Sequence, residues 1–161
     1  MHQRAAELVE KLGLLPHPEG GLFREVHKSE LLVEPADRRG PRAALTAIYF
    51  LLPAASVSRW HRVQSDEVWH FCEGSPLRLW ISSPGGDRVE QHWLGPLSDG
   101  YLPVVVVPAG CWQAARSAGD YTLVGCTVGP GFEFGDFAFA SETPSVASAL
   151  QSCDPELAEL L

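Results

Sequence analysis

Apolar residues at both ends of the chain recur at the spacing of an α-helix face. Near the start, positions i, i+3, i+4 and i+7 are occupied by Ala5, Leu8, Val9 and Leu12. Gly13 follows this run and favours its termination. Near the end, Thr143 and Pro144 supply an N-cap and a first-turn proline for a second helix. The pattern predicts helical caps over residues 2–13 and 144–161.

The chain between these caps consists of short runs of β-branched, aromatic and aliphatic residues, separated by turns rich in Gly and Pro. We expect strands over residues 44–52, 57–63, 67–73, 77–82, 89–93, 102–107, 111–117, 121–128 and 132–139. Many short strands without interleaved helical segments are typical of an antiparallel sandwich or barrel. The sequence therefore predicts an all-β barrel over roughly residues 22–140.

Two interruptions of the strand pattern lead to local predictions. Residues 34–42 are charged and are broken by Pro and Gly, which favours a solvated, flexible loop. The phenylalanines of segment 132–139 change parity halfway along it. This change predicts a β-bulge at Gly135–Asp136, which would restore the facing of the aromatic rings.

Length and charge narrow the possible classes of protein. The chain has 161 residues, 45% of them hydrophobic and 20% charged, which indicates a single domain over 1–161. Its formal net charge of -8 argues against binding to nucleic acid or to an anionic membrane surface. No apolar run approaches the roughly 20 residues that cross a bilayer.

The cysteines and the first residues of the chain indicate the cellular compartment of the protein. The four cysteines are scattered and form no CxxC pair, which argues against a disulfide framework or a structural zinc site. The start of the chain shows no apolar region of a secretory signal. We therefore expect a reduced, cytoplasmic protein.

The candidate chemistry is concentrated in the segment 59–74. A strand carrying His61 turns at residues 64–66 into a second strand that opens with Glu67. Period-two alternation puts Arg59 on the face of His61 and Trp69 on the face of Glu67. If these faces coincide inside a barrel, His61 and Glu67 are neighbours across the hairpin, and an imidazole–carboxylate pair in a concave site is a candidate catalytic pair.

These residues resemble the two signature motifs of the cupin superfamily. The first motif is matched by His61, Glu67 and, after six further residues, Gly74. The second is matched by Pro108-x-Gly110-x-x-Gln113. More narrowly, the chain is similar to the DUF985 (cupin_5) branch in the segments His17–Gly21, Phe23–Glu25, Trp60–Arg62, Asp66–Phe71 and Pro130–Phe137. The resemblance implies an antiparallel double-stranded β-helix, or jelly-roll barrel, related to sugar-nucleotide epimerase-type cupins and commonly assembled as a homodimer.

Two departures from the general cupin motifs affect the prediction of a metal. Val63 and Gln113 stand where cupins usually have histidines. His61, Glu67 and Gln113 could form a three-point metal site completed by water, because catalytic sites often keep an open position. A Gln carbonyl is a weaker donor than an imidazole for late first-row metals, so a divalent metal is possible but not favoured.

Other residues of these segments allow two interpretations each. Gln113 either hydrogen-bonds a ligand or satisfies backbone groups, and Arg59 either clamps an anionic group of the substrate or forms a surface ion pair. Trp69 either stacks on a substrate ring or belongs to the core. His70 has the wrong parity for the pocket unless a bulge intervenes. Glu19 either lines the barrel mouth or belongs to a turn that merely needs glycine.

The leading hypothesis is an enzyme of the isomerase or epimerase type that acts on a sugar or another small polar metabolite in the barrel. His61 would exchange the substrate proton and Glu67 would orient it. A non-catalytic ligand-binding or structural cupin is the alternative. A metal-dependent dioxygenase is disfavoured because two of the usual histidines are absent.

Overall fold

The computed structural model describes residues 1–161, apart from the side chain of Pro155. The helices are α1 (Gln3–Leu12), α2 (Pro144–Cys153) and α3 (Pro155–Ala158). The strands are β1 (Leu15–Pro16), β2 (Leu22–Lys28), β3 (Leu32–Val33), β4 (Arg42–Ala43), β5 (Thr46–Pro53), β6 (Val57–Val63), β7 (Asp66–Gly74), β8 (Leu77–Ser82), β9 (Val89–Leu94), β10 (Val104–Val107), β11 (Trp112–Ser117), β12 (Tyr121–Gly129) and β13 (Phe137–Phe139).

Eleven of the strands form two antiparallel sheets that face each other, and β3 and β4 form a separate two-stranded antiparallel sheet. One sheet has the order β1-β2-β5-β12-β7-β10 and the other has the order β13-β6-β11-β8-β9. Side chains from both sheets, such as Phe50, Trp69 and Leu79, form a buried core between them. This arrangement confirms the predicted antiparallel jelly-roll barrel.

The terminal helices cover the outer faces of the two sheets. Ala5 and Leu8 of α1 pack on Leu51 of the first sheet, whose side chain points away from the barrel core. Leu150 of α2 packs in the same way on Trp60 of the second sheet. Each helix thus buries one apolar face, as the sequence pattern predicts. Within the described part of the chain, none of the helices has the length and apolar character needed to cross a membrane.

The segment 34–42 is a loop with mostly exposed residues, as predicted, but two of its arginine side chains fasten it to the barrel. Arg42 makes two hydrogen bonds of 2.8 Å to the carboxylate of Asp136. Arg39 contacts the same carboxylate at 3.3 Å and Ser65 at 2.8 Å. Bidentate Arg–carboxylate pairs fix both partners, and this one ties the segment to the aromatic residues on either side of Asp136.

The second local prediction needs correction, because no continuous strand covers residues 132–139. A single 3₁₀ turn over Phe134–Asp136 precedes β13, and it takes the place of the predicted bulge. The turn is closed by the backbone N–H of Asp136, which donates to the carbonyl of Glu133 at 2.9 Å. It aims the Asp136 carboxylate at the two arginines rather than into solvent.

A β-bulge in β6 sets which side chains enter the barrel. His61 pairs with Gln113 of β11, but Ser58 pairs with Ala115, so β6 contains one more residue than β11 between these pairs. The extra residue reverses the alternation of facing. As a result Ser58 and His61, three positions apart, face the same interior space.

The turn between β1 and β2 lies directly on β6. The backbone N–H of Arg59 donates to the carbonyl of Glu19 at 2.9 Å. Gly20 has φ +114°, and a Cβ at this position would lie 2.0 Å from the carbonyl oxygen of Val57. Only glycine allows both this conformation and this approach, so Gly20 fixes Glu19 against β6.

We expect Gly20→Ala to destabilise the protein more than a glycine substitution that introduces strain alone. Gly100→Ala is the matched control, because Gly100 has φ +83° and a Cβ added there would meet only open space. A left-handed conformation at alanine costs on the order of 1–2 kcal/mol, and the clash at Gly20 should add at least about 2 kcal/mol to that cost. Urea unfolding of both variants measures the difference, and equal losses would contradict the close approach.

Candidate functional site

A cavity of about 90 Å³ lies between the two sheets and opens to the surface beside Glu25 and Phe134. Phenylalanine and tryptophan rings make up a large part of its wall. Two imidazoles and two carboxyl groups with little or no exposure also line it, namely His17, Glu19, His61 and Glu67, together with the buried thiol of Cys126. Ionisable side chains that are buried among apolar side chains in a cavity are typical of a functional site.

The carboxyl group of Glu19 is at the centre of this polar cluster. Its Oε2 atom lies 3.2 Å from Nε2 of His61 and 3.4 Å from Nδ1 of His17. Its Oε1 atom accepts a hydrogen bond of 2.8 Å from the hydroxyl of Ser58. The Gly20 turn supplies Glu19 and the bulged strand β6 supplies Ser58 and His61.

The contacts of the imidazoles define where protons lie. Nδ1 of His61 is 2.7 Å from the carbonyl oxygen of Arg59, and because a carbonyl only accepts, Nδ1 carries the hydrogen. In the neutral ring, Nε2 then presents a lone pair to Glu19. Nδ1 of His17 accepts the backbone N–H of Glu19 at 3.3 Å, so this nitrogen also carries no hydrogen. One proton therefore has to lie between Glu19 and His61 for their contact to be attractive.

Burial shifts the pKa values of this cluster toward the uncharged forms. Desolvation raises the pKa of Glu19 to about 7, against a smaller opposite effect of His17. Desolvation also raises the pKa of Glu67 and lowers the pKa values of His61 and His17. Near neutral pH the Glu19–His61 pair thus gains or loses one proton.

The second carboxyl group is held by a chain of hydrogen bonds across the barrel. The indole N–H of Trp69 donates to Oε1 of Gln113 at 2.9 Å. The amide nitrogen of Gln113 in turn donates to Oε2 of Glu67 at 2.6 Å. Because an indole N–H only donates, the Trp69 contact fixes which end of the Gln113 amide faces which neighbour, and the amide N–H then positions Glu67 at the cavity wall opposite His61.

The predicted hairpin pair of His61 and Glu67 is not formed. The strands β6 and β7 belong to different sheets, so the two residues face each other across the interior instead of pairing along one sheet. Glu19, and not Glu67, is the carboxyl group in ion-pair distance of His61. Glu67 therefore does not set the tautomer of His61, which is fixed by the Arg59 carbonyl.

Two other predicted substrate-binding residues lie outside the cavity. The bulge in β6 removes Arg59 from the face of His61, and its guanidinium donates to the carbonyl of Pro18 at 2.7 Å and lies over the ring of Phe139. His70 follows Trp69 on β7 and points to the opposite face of the sheet, as strict alternation requires. In contrast, Trp69 and Glu19 line the cavity, and Gln113 lies behind it.

The residues predicted as metal ligands do not fit a metal ion. The carbonyl oxygen of Gln113 accepts the Trp69 indole N–H, and its amide nitrogen, which has no lone pair to offer, faces Glu67. Nε2 of His61 faces Glu19. Among the described residues, no group of three or more His, Cys, Asp or Glu side chains is arranged to hold a metal ion. In this arrangement His61, Glu67 and Gln113 contact other side chains, and they do not come together as the predicted three-point site.

Sequence reasoning overlooked His17, Ser58 and Phe137. His17 contacts Glu19, and Phe137 stacks on His61 with ring centroids 5.3 Å apart. The signal for His17 was its position beside the Glu-Gly-Gly turn, because paired glycines indicate a close approach of the backbone. Ser58 could not be found by alternation, since the bulge reverses the parity between positions 58 and 61.

A jelly-roll barrel with its polar cluster enclosed between the sheets defines a cupin domain. Residues 6–140 match the family described as Cupin superfamily (DUF985), and the chain belongs to this family. The resemblance inferred from the motifs is confirmed. No curated protein matches the chain in sequence.

Solved structures agree with this assignment. A protein of Shewanella oneidensis is 32% identical, with a TM-score of 0.84 over 99% of this chain and 98% of that one. A hypothetical protein from Leishmania major is 29% identical, with a TM-score of 0.81 over 97% of this chain and 95% of that one. Oxalate decarboxylase from Bacillus subtilis is 14% identical, with a TM-score of 0.57 over 91% of this chain and 36% of that one, and shares the fold.

We expect Glu19→Gln to change how stability depends on pH. The pKa of Glu19 is about 7 in the folded protein against an ordinary value of 4.5, so between these values the folded state binds more protons than the unfolded state. The contribution of Glu19 to the free energy of unfolding therefore falls as pH rises through this window. Glutamine does not titrate, and its amide N–H replaces the carboxyl O–H that faces His61.

The stability of Glu19→Gln relative to the wild type should thus increase from about pH 4.5 to about pH 8, by up to about 3 kcal/mol. Denaturant unfolding at a series of pH values measures this difference. Glu30→Gln, which removes an exposed carboxylate, is the matched control. An equal pH profile for the two variants would contradict the placement of a shared proton at Glu19.

Proposed function

We propose that this cupin is an enzyme of the isomerase or epimerase type, which transfers a proton at a carbon atom of a small polar molecule bound in the barrel. The observation that carries the proposal is the contact of 3.2 Å between Glu19 and His61 in a cavity open to the surface. A pair that exchanges one proton near neutral pH meets the main requirement of a general base.

The Glu19–His61 pair takes the proton from a carbon next to a carbonyl group of the substrate. Glu67, whose pKa is raised by burial, donates a proton to the carbonyl oxygen, so that a neutral enol forms. When the carbon that lost the proton carries a hydroxyl group, the pair delivers the proton to the former carbonyl carbon. Glu67 then takes the proton of that hydroxyl group, whose oxygen becomes the new carbonyl oxygen, and this completes the isomerisation. Ser58 and His17 position the Glu19 carboxyl, and Gln113 positions Glu67.

A cytoplasmic location and assembly as a homodimer are also part of this proposal. The four free cysteines are consistent with the reducing cytoplasm. The edge strand β10 has Val104 and Val106 exposed by 46% and 50%, which supports a homodimer that covers this edge.

The test is hydrogen–deuterium exchange of candidate substrates in D₂O, followed by proton NMR. Aldoses, ketoses, hydroxyketones and cyclic amides are the probes, together with phosphorylated sugars. We expect the wild type to catalyse loss of a C–H signal from at least one of them. Glu19→Gln and His61→Asn should reduce the rate by about 10²–10⁴-fold, because each removes one member of the proton-exchanging pair.

Two controls make this result specific. His61→Asn keeps a donor for the Arg59 carbonyl and so preserves the local fold, which the unfolding midpoint verifies. Glu30→Gln removes an exposed carboxylate and should exchange at the wild-type rate. Exchange that persists in Glu19→Gln, or no exchange of any probe by the wild type, would contradict the enzymatic function and leave ligand binding alone.

A further inference from the structure

We propose that the cavity selects a small ligand that has a flat apolar face and carries no negative charge. Such a ligand has neither a phosphate nor a carboxylate group, and it offers N–H or O–H donors to the carboxyl groups of the cavity. The inference deepens the proposed function by naming a substrate class. It depends on that function only in assuming that the cavity binds a small molecule.

The shape and polarity of the wall favour a flat apolar face. Six aromatic rings line the cavity: Phe23, Phe50, Trp69, Phe132, Phe134 and Phe137. Phe50 meets Trp69 edge to face at 5.9 Å, Phe132 meets Phe134 and Phe137 in the same way, and the imidazole of His17 lies between these two groups. Such walls stack on planar rings and on the apolar faces of cyclic molecules.

The charges of the lining exclude an anion. None of the lining residues that the structure describes is Lys or Arg. Cationic side chains on neighbouring segments are engaged in other contacts: Arg59 with Pro18 and Phe139, Lys28 with Glu133 at 2.7 Å, and Arg42 with Asp136. An anionic ligand would thus be buried without a cationic partner, which is costly.

The groups that are present favour a ligand with hydrogen-bond donors. The lining includes three carboxyl groups, with Glu19 and Glu67 inside and Glu25 at the rim. His17 and His61 add no positive charge near neutral pH, because burial lowers their pKa values. Carboxyl oxygens accept N–H and O–H groups; the ionised form repels carboxylates and phosphates, and the protonated form offers them no positive charge. The sugar nucleotides implied by the wider family resemblance carry a pyrophosphate, and this cavity has no group to hold one.

The test uses three planar probes of the same size that differ in charge: benzamide, benzamidine and benzoate. Each is titrated into the protein at about pH 7.5 while the indole Nε1–H signal of Trp69 is followed by ¹⁵N NMR. The signal reports on the cavity, because this N–H is hydrogen-bonded to Gln113 beside Glu67. We expect benzamide and benzamidine to bind at least about tenfold more tightly than benzoate.

Two variants check the origin of the selectivity. Glu67→Gln should narrow the difference between benzamidine and benzoate, because glutamine cannot ionise to pair with the benzamidinium cation. Glu30→Gln, on the exposed surface, should leave the difference unchanged. Benzoate that binds as tightly as benzamide, or no response of the Trp69 signal to benzamide and benzamidine, overturns the proposal. Binding is measured apart from turnover, so selective binding without deuterium exchange of any substrate would refute only the enzymatic function.

Discussion

The chemistry of this barrel depends on one contact, in which Glu19 Oε2 and His61 Nε2 lie 3.2 Å apart and almost out of reach of water. Because the carbonyl of Arg59 requires a hydrogen on Nδ1, the contact is attractive only when a proton lies between its two partners. If the pair were exposed to water, the carboxyl group would be fully ionised at neutral pH and would not exchange a proton there. In the interior, desolvation brings the carboxyl pKa close to that of an imidazole, so the proton can leave or return at neutral pH.

The contact is held by the backbone more than by the side chains. The glycine turn brings Glu19 onto β6 at a distance that any Cβ at position 20 would prevent. The bulge in β6 turns Ser58 and His61 toward the same carboxyl group, and it turns Arg59 away. A third device, the ion pair between Arg42 and Asp136, fixes the segment that carries Phe134 and Phe137 along the cavity. The polar cluster and its aromatic wall are thus positioned by different devices, and they meet where Phe137 stacks on His61.

Much of the fold follows from the sequence, because the strands are short, regular and bounded by Gly and Pro. The limits of β6 and β8 and the positions of the terminal helices were predicted closely. The site was predicted only in part. His61, Glu67, Trp69, Gln113 and Glu19 do meet in or behind the cavity, but alternation misplaced Arg59 at the bulge, and it paired His61 with the wrong carboxyl group. Which sheet a strand joins, and which residue approaches from 42 positions earlier, are tertiary properties that local spacing does not encode.

The most direct test of the account is the protonation state of His61 itself. In ¹⁵N-labelled protein near pH 7, long-range ¹H–¹⁵N correlation spectra distinguish the two ring nitrogens of each histidine. We expect a neutral ring with hydrogen on Nδ1 and none on Nε2. We also expect the ¹⁵N chemical shift of Nε2 to change when Glu19 is titrated. A hydrogen on Nε2 with Nδ1 bare, or a permanently charged imidazolium, would contradict it.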